Sequence, residues 1–400
     1  MSRIAIIGAG VTGVTTAYSL LQRGHQVTVF ERHRYVAMET SFANGGQLSA
    51  CNAEVWNSSA TILKGIRWML DRDAPLLLNP KPSWHKYSWI GEFVRQIPRY
   101  KENTIETVRL AIAARDPFFS IAEREGIEFD LERRGILHVY GTRKEFDAAA
   151  RVNEILREGG LVRNPVSPEE IASIEPSLSG EFYGGFFTES DSTGDIHKFV
   201  RGLSAACERQ GVVFKYEALV RSIAHDSHDK IVISLEQGEQ VFDAMVICAG
   251  VASRAFASML GDRVNIYPVK GYSITVNLED EQSQSSAPWV SLLDDRAKIV
   301  TSRLGPTRLR VAGTAEFNGM NRDIRADRVA PLVEWTRRHF PGVSTSSVIP
   351  WAGLRPMMPS MLPRVGRGQR PGVFYNTGHG HLGWTLSAAT AETVAQAIDR

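Results

Sequence analysis

The sequence predicts an α/β protein: a doubly wound nucleotide-binding domain of Rossmann type, interleaved with an antiparallel-sheet domain. Three observations predict it. A βαβ unit with glycines at its first turn spans residues 4–31, and a second strand, glycine turn and helix occupy residues 373–400. Between them, residues 219–248 and 264–316 alternate as antiparallel strands do. At 400 residues the chain exceeds one compact core and suits two or three domains of roughly 100–200 residues.

The elements follow in order. Ile4-Ala5-Ile6-Ile7 is a continuous β-favouring run, as in a parallel strand buried on both faces. Gly8-Ala9-Gly10-Val11-Thr12-Gly13 comes next, then a helical pattern through Ala17, Leu20 and Leu21 that stops at Gly24. Val27-Thr28-Val29-Phe30 is a second strand, with Glu31 at its carboxyl end. Residues 40–52 form a small, polar loop in which Gly45-Gly46 permits close backbone approach. Residues 56–100 carry four of the eight tryptophans, Trp56, Trp68, Trp84 and Trp89, with a helix expected over Thr61–Leu70.

Further helices are expected over 104–125, 143–158 and Asp195–Gln210. A strand should end at Cys248-Ala249-Gly250. Lys298–Arg303 and Arg308–Val311 should pair about a turn at Leu304-Gly305-Pro306-Thr307. The last unit is a strand at Val373–Tyr375, a turn at Gly378–Gly383 and a helix from about Thr385. The domains are therefore discontinuous: 1–60, 190–260 and 350–400 against 61–189 and 261–349.

Composition excludes some partners. A net charge of +2 gives no one-signed field to attract nucleic acid. The three cysteines, Cys51, Cys207 and Cys248, lie far apart, so neither a disulfide framework nor a metal site is expected, and a reducing compartment fits. The chain enters a strand at Ile4 with no leader pattern, and no run approaches the roughly 18–20 apolar residues that cross a bilayer. The expected location is the cytoplasm, or peripherally the inner face of the cytoplasmic membrane.

The glycines of the first turn have separate tasks. Gly8 allows the strand-to-helix turn, Gly10 lets backbone approach a pyrophosphate, and Gly13 lets helix pack on strand. The pyrophosphate would sit on the N–H groups of a helix opened by Val11 and Thr12. Glu31, with Arg32 beside it, stands where ribose hydroxyls would donate; an acid there disfavours NADP. With Ala17, Gly24-His25 and the early first glycine, the pattern resembles that of FAD enzymes, which implies FAD rather than NAD. The C-terminal glycine turn could aim N–H groups at a flavin edge where negative charge develops.

On several stretches the chain resembles the D-amino acid oxidase/dehydrogenase superfamily of FAD enzymes, most closely its bacterial dehydrogenases. They are Gly8–Gly13 with Glu31, Glu39-Thr40-Ser41 through Asn44, Gly46-Gln47, Lys64–Met69 and Thr193-Gly194-Asp195. Pro268–Ser273, Gly353–Met357 and Asn376–Thr385 complete the match. The resemblance implies non-covalent FAD held by Gly8, Gly10, Val11, Thr12, Gly13, Glu31, Arg32, Ser41, Asn44, Gly45, Gly46 and Gln47. It adds Val220 on the adenine side, Cys248, Ala249 and Gly250 beside the cofactor, and Gly353, Gly380, His381, Leu382, Gly383, Trp384 and Thr385 along the flavin.

It also implies three catalytic positions. Arg355 would pair with the substrate carboxylate, which a planar guanidinium grips with two parallel bonds. The backbone carbonyl of His381 would accept from the substrate amine. Tyr272 would either aim its hydroxyl at the carboxylate or pack in the pocket wall. The implied reaction is oxidative deamination of D-amino acids to 2-oxo acids and ammonia. Hydride would pass from Cα to flavin N5, and electrons on to a non-oxygen acceptor such as a quinone.

The D configuration comes from resemblance alone. A secondary amino acid substrate (a D-proline or hydroxyproline derivative, or an N-alkylated opine-like compound), a non-catalytic nucleotide-binding subunit and an NAD-dependent dehydrogenase are the competing readings. The segment 56–100 reads either as a wall over the flavin or as a peripheral membrane contact, with Lys64 and Arg67 toward lipid headgroups.

Overall fold

The apolar run near the amino terminus becomes the middle of a six-stranded sheet. The computed structural model describes residues 1–59, 61 and 76–400. In it β1 (Arg3–Ile7) pairs in parallel with β2 (Gln26–Phe30) on one side and with Ala244–Ile247 on the other. Val213–Lys215 extends the sheet beyond β2, Val373–Thr377 extends it beyond Ala244–Ile247, and Arg364–Arg367 closes the edge antiparallel. Ile4, Ala5 and Ile6 have no exposed surface. Both faces are covered, which is why the run shows no polar alternation. Each fully buried isoleucine contributes about 1.5–3 kcal/mol.

The helix α1 (Val11–Gln22) packs on the C-terminal helix Gly383–Asp399 and on Ile196–Arg209. The helix Tyr100–Arg124 joins them: its Phe118, Ile121 and Ala122 belong to the same core as β1. Sequence boundaries assign residues 100–124 to the other domain. The helix bridges the two: Phe118, Ile121 and Ala122 pack on the nucleotide-binding layer, while Val108 and Ala111 pack with Ile136 and Leu156.

The second sheet is built on Tyr267–Asn277, which pairs along its length with Val348–Met357 and, on its other edge, with Arg308–Phe317. The boundary expected at residue 350 therefore cuts through a strand of this sheet. Ile299–Arg303, Ser291–Asp294, Ile136–Tyr140, Gly184–Thr188 and Asn164–Val166 continue it. Ile299–Arg303 and Arg308–Phe317 form the expected hairpin.

The sheet is mixed rather than purely antiparallel. Ser291–Asp294 lies parallel to Ile136–Tyr140, and Leu76–Leu78 lies parallel to Arg308–Phe317. Parallel neighbours need long crossovers, and the chain between 140 and 291 supplies one. The helix Thr61–Leu70 and the Lys64–Met69 stretch fall outside the described residues, apart from Thr61.

One irregularity sits at the centre. Between Lys270↔Glu316 and Tyr272↔Gly313 the register shifts, so Arg308–Phe317 carries an extra residue. Thr314 within it has φ +56°, a left-handed conformation uncommon for a β-branched residue.

Candidate active site

A cavity of about 790 Å³ runs from the α1 end of the first sheet to the face of the second. Gly8, Gly10, Val11 and Thr12 line its first part. Gly8 has φ +102°, and a Cβ there would meet the Cys248 carbonyl at 2.8 Å. A Cβ on Gly13 would overlap the Gly8 carbonyl, so helix and strand approach only because both are glycine. Gly13 packs and does not line the cavity. Ser41 Oγ accepts from the Val11 amide at 3.1 Å and ties the next loop to the helix start.

Glu31 lines the cavity at the end of β2 and is 7% exposed. Its Oε2 accepts from the Ala9 amide at 2.8 Å and its Oε1 from the His33 amide at 2.9 Å, which pins the carboxylate in place. Arg32 is exposed and pairs with Glu39 at the rim. Ala218, Leu219 and Val220 close this end, and Ala249 and Gly250 line the wall. The buried Cys248 thiol lies beside Thr16 and is pushed up to about 12 by burial, so it stays a neutral packing group.

The loop of residues 43–47 forms the next wall, and the second sheet holds it by three successive carbonyls. Ser273 Oγ donates to Ala43 (2.6 Å), Arg310 Nη1 to Asn44 (2.8 Å) and Ser302 Oγ to Gly45 (2.6 Å). The glycines here also let the loop lie tight against the sheet behind it. A Cβ on Gly45 would meet Val300 at 2.9 Å, and one on Gly46 would meet Ser302 at 2.9 Å. Close approach is thus to the sheet behind the loop. Gln47 Nε2 donates to Ser291 Oγ at 2.8 Å.

The C-terminal turn brings Gly353, Gly380, His381, Gly383 and Trp384 to the cavity. Gly380 is glycine because Met357 Sδ would stand 2.9 Å from a Cβ. Two expected cofactor residues are otherwise engaged. Leu382 is 4% exposed in the core with Ala50 and Leu386, and Thr385 Oγ1 accepts from the Ser49 amide at 3.1 Å. Trp384 packs edge-on against Phe118 and Phe129. Helix burial turns these side chains inward, leaving the turn itself at the wall.

Arg355 projects into the cavity from Val348–Met357. Its Nη1 donates to the Thr314 carbonyl at 3.1 Å, so the bulge aims an acceptor at it. Among the described residues it has no carboxylate partner, and burial pushes it down to about 10, still charged at neutral pH. His381 stacks on Trp56 with ring centroids 5.0 Å apart, and its Nε2 lies 3.1 Å from the Asn52 carbonyl. Burial and the nearby Arg355 charge lower it to about 4, so its ring is neutral.

Tyr272 also reaches the cavity. It lines the wall, but its hydroxyl donates to Glu316 Oε2 at 2.7 Å, in the buried network of Lys270. Successive strand residues face opposite sides.

The tryptophan segment divides. Trp56 lines the cavity, Trp89 is buried and donates to the Met357 carbonyl at 2.8 Å, and Trp84 is 84% exposed. Trp68, Lys64 and Arg67 lie outside the described residues. No helix among the described residues is long and apolar enough to cross a membrane. Sequence reasoning missed Glu54, Tyr100, His138, Tyr140, Arg163 and Thr314, all at the wall. They come from separate loops and strands, and no spacing links them.

Comparison with known proteins decides the family. The model of the DAO family, FAD dependent oxidoreductase, matches residues 3–397. This chain belongs to that family. The FAD dependent oxidoreductases most similar to it include D-amino acid dehydrogenase 3 of Mesorhizobium japonicum, 65% identical over 400 residues and covering 100% of this chain and 97% of that one. D-amino acid dehydrogenase of Paramagnetospirillum magneticum is 38% identical, covering 99% and 94%. The fold is that of glycine oxidase from Geobacillus kaustophilus, with TM-score 0.79, 22% identity and coverage of 100% and 95%.

FAD is the family's cofactor, and the residues present fit it. The α1 N-terminus with Gly10, Val11 and Thr12 suits a pyrophosphate. The pinned Glu31 carboxylate suits ribose hydroxyls. Residues 43–47, Gly353 and the turn 380–383 offer backbone to the flavin.

Proposed function

We propose that this FAD dependent oxidoreductase is a D-amino acid dehydrogenase, converting D-amino acids to 2-oxo acids and ammonia and passing electrons to a non-oxygen acceptor. One observation carries the reading: an unpaired, buried guanidinium, Arg355, projects into the cavity that the glycine turns line. A cation without a counter-charge in such a place calls for an anion from the ligand. The names of the relatives, at 65% and 38% identity, support a D-amino acid as that ligand.

When bound, FAD supplies the two-electron acceptor for the substrate Cα–H. The chain's residues do the positioning. Arg355 grips the α-carboxylate, and the His381 carbonyl takes the amine. The neutral imidazole of His381 adds no cation to repel that amine. Trp56, stacked on His381, narrows the site and excludes water. Such orientation supplies much of a rate.

The test is anaerobic mixing of the yellow holoenzyme with both enantiomers of an amino acid panel. Bleaching by D-amino acids is expected; a flavin that no amino acid bleaches overturns the reading. R355M should lose roughly 10²-fold or more in kcat/KM while retaining FAD, because two charge-assisted bonds disappear.

The acceptor is a quinone in this reading. Exposed Trp84 and Tyr87, one helical turn apart on Trp84–Arg95, favour peripheral membrane contact. Reduction of a ubiquinone analogue faster than oxygen, and vesicle binding lost in W84S, check these points.

A further inference from the structure

The same cavity carries a second set of polar groups that the chemistry at Arg355 does not use. Glu54, Tyr100, His138, Tyr140 and Arg163 all line it. His138 and Tyr140 alternate on Ile136–Tyr140 and so share a face. Arg163 follows the helix Arg143–Glu158 and is only 6% exposed. Its guanidinium lies over the Phe186 ring at 5.2 Å, and its Nε and Nη2 have no hydrogen-bond partner.

The carboxylates that share these surroundings are committed elsewhere. Glu54 accepts from the Tyr100 hydroxyl at 2.6 Å. Asp191 pairs with Arg115 and accepts from the Ala50 and Cys51 amides at 3.1 and 2.8 Å. Asp295 is paired with Lys298. Tyr140 hydrogen-bonds the Arg163 side chain, and two further titratable neighbours carry no charge. His138 is held well below its ordinary range by burial and by the charges of Arg163 and Lys298, and the Cys51 thiol 3.1 Å from it is raised by burial. Among the described residues Arg163 therefore has no ion-pair partner.

Two unpaired guanidinium groups thus line one cavity. A buried charge with free N–H donors and no counter-charge is unfavourable unless a ligand completes it. With Lys298 matched by Asp295, the charge of Arg163 is left over and matches a single negative charge, and the planar guanidinium fork matches a carboxylate. We propose that Arg163 forms a second anion subsite, which takes the side-chain carboxylate of a dicarboxylic D-amino acid while Arg355 takes the α-carboxylate. This rests on the assignment of Arg355 and narrows the substrate class.

The experiment uses the FAD holoenzyme with a dye acceptor under anaerobic conditions. D-aspartate, D-glutamate and D-2-aminoadipate are compared with D-asparagine, D-glutamine and D-norleucine. At least one acid should exceed its neutral counterpart by roughly ten- to hundredfold in kcat/KM, the range expected of a charged hydrogen bond. R163M should collapse that ratio to near unity, and R163K should restore part of it. FAD content and Tm are read for each variant, so R163K keeps the test open if R163M folds poorly.

Equal turnover of acid and amide by the wild type overturns the proposal. So does an R163M variant that lowers both by the same factor. Titration of flavin absorbance with glutarate and with acetate separates the sources of the carboxylate. Glutarate binding weakened by both R163M and R355M supports one ligand spanning both sites. Acetate binding that depends on Arg163, without acid preference in turnover, assigns the subsite to a free anion and overturns the substrate claim. If no amino acid bleaches the flavin, the dehydrogenase reading itself fails.

Discussion

The Arg355 guanidinium occupies the space that a side chain on Gly271 would need: a Cβ built there overlaps its Cζ and both Nη atoms. The two residues lie on paired strands, where Val269 is the direct partner of Arg355. Gly271 is thus a seat for the Arg355 guanidinium.

G271A follows from that seat. The atoms in the way belong to the end of a flexible side chain, so the fold should tolerate the methyl. The guanidinium should move instead. KM should rise about tenfold, a cost of about 1.4 kcal/mol, with Tm and FAD content nearly unchanged. Steady-state kinetics beside thermal unfolding check it; an unaltered KM would sink the assignment.

Arg310 should matter for cofactor retention. It holds the Asn44 carbonyl and donates to Thr275 Oγ1 at 3.0 Å. R310M leaves a buried carbonyl without its donor, a penalty of about 1–3 kcal/mol, and releases one of three anchors of the 43–47 loop. FAD affinity should fall roughly tenfold, read by ultrafiltration of the apo protein titrated with FAD.

Beneath the site, Lys270 Nζ lies 3.1 Å from Glu316 Oε2, and neither side chain is more than 3% exposed. K270M removes the close cation from the Glu316 carboxylate, leaving Arg325 at 3.7 Å and the Tyr272 hydroxyl at 2.7 Å. Breaking one side of a buried pair costs about 3–5 kcal/mol. A large drop in Tm is expected, with most of it recovered in K270M/E316L. If the double variant is no more stable than the single one, the pair does not carry the effect.

Two buried histidines set an acid limit. Burial holds His379 down to about 3, and burial with the Arg355 charge holds His381 down to about 4. Below the ordinary value near 6.5, the unfolded chain binds protons that the folded chain refuses. Stability should therefore fall as pH drops from about 6.5 toward 4, and stay flat above. Thermal unfolding across pH 4.5–7.5 should show a shallower acid slope for H379Q than for wild type; parallel curves would refute the role of His379.

Much was legible in one dimension. The β1–α1–β2 unit, its glycines, Glu31, the discontinuous layout and the hairpin at 304–307 all follow from local rules of steric fit and burial. These patterns are short, so the sequence displays them whole. The family stretches also singled out Arg355, which lines the cavity.

Only the tertiary structure decided the rest. Neighbours far along the chain explain Gly45, Gly46 and Gly271 (Val300, Ser302 and Arg355), because a glycine reports only that space is short and never which atoms take it. The Tyr272 hydroxyl meets Glu316, 44 positions away, because the bulge at Thr314 and strand pairing bring them together. The helix at residues 100–124 reaches the nucleotide layer through Phe118 and Ile121. The chamber of Arg163, His138 and Tyr140 has no signature at all, since its members meet only when the strands of the mixed sheet pair. Sequence by itself determined the cofactor cradle and the chemistry class; packing across long separations determined which charges face the cavity without a partner.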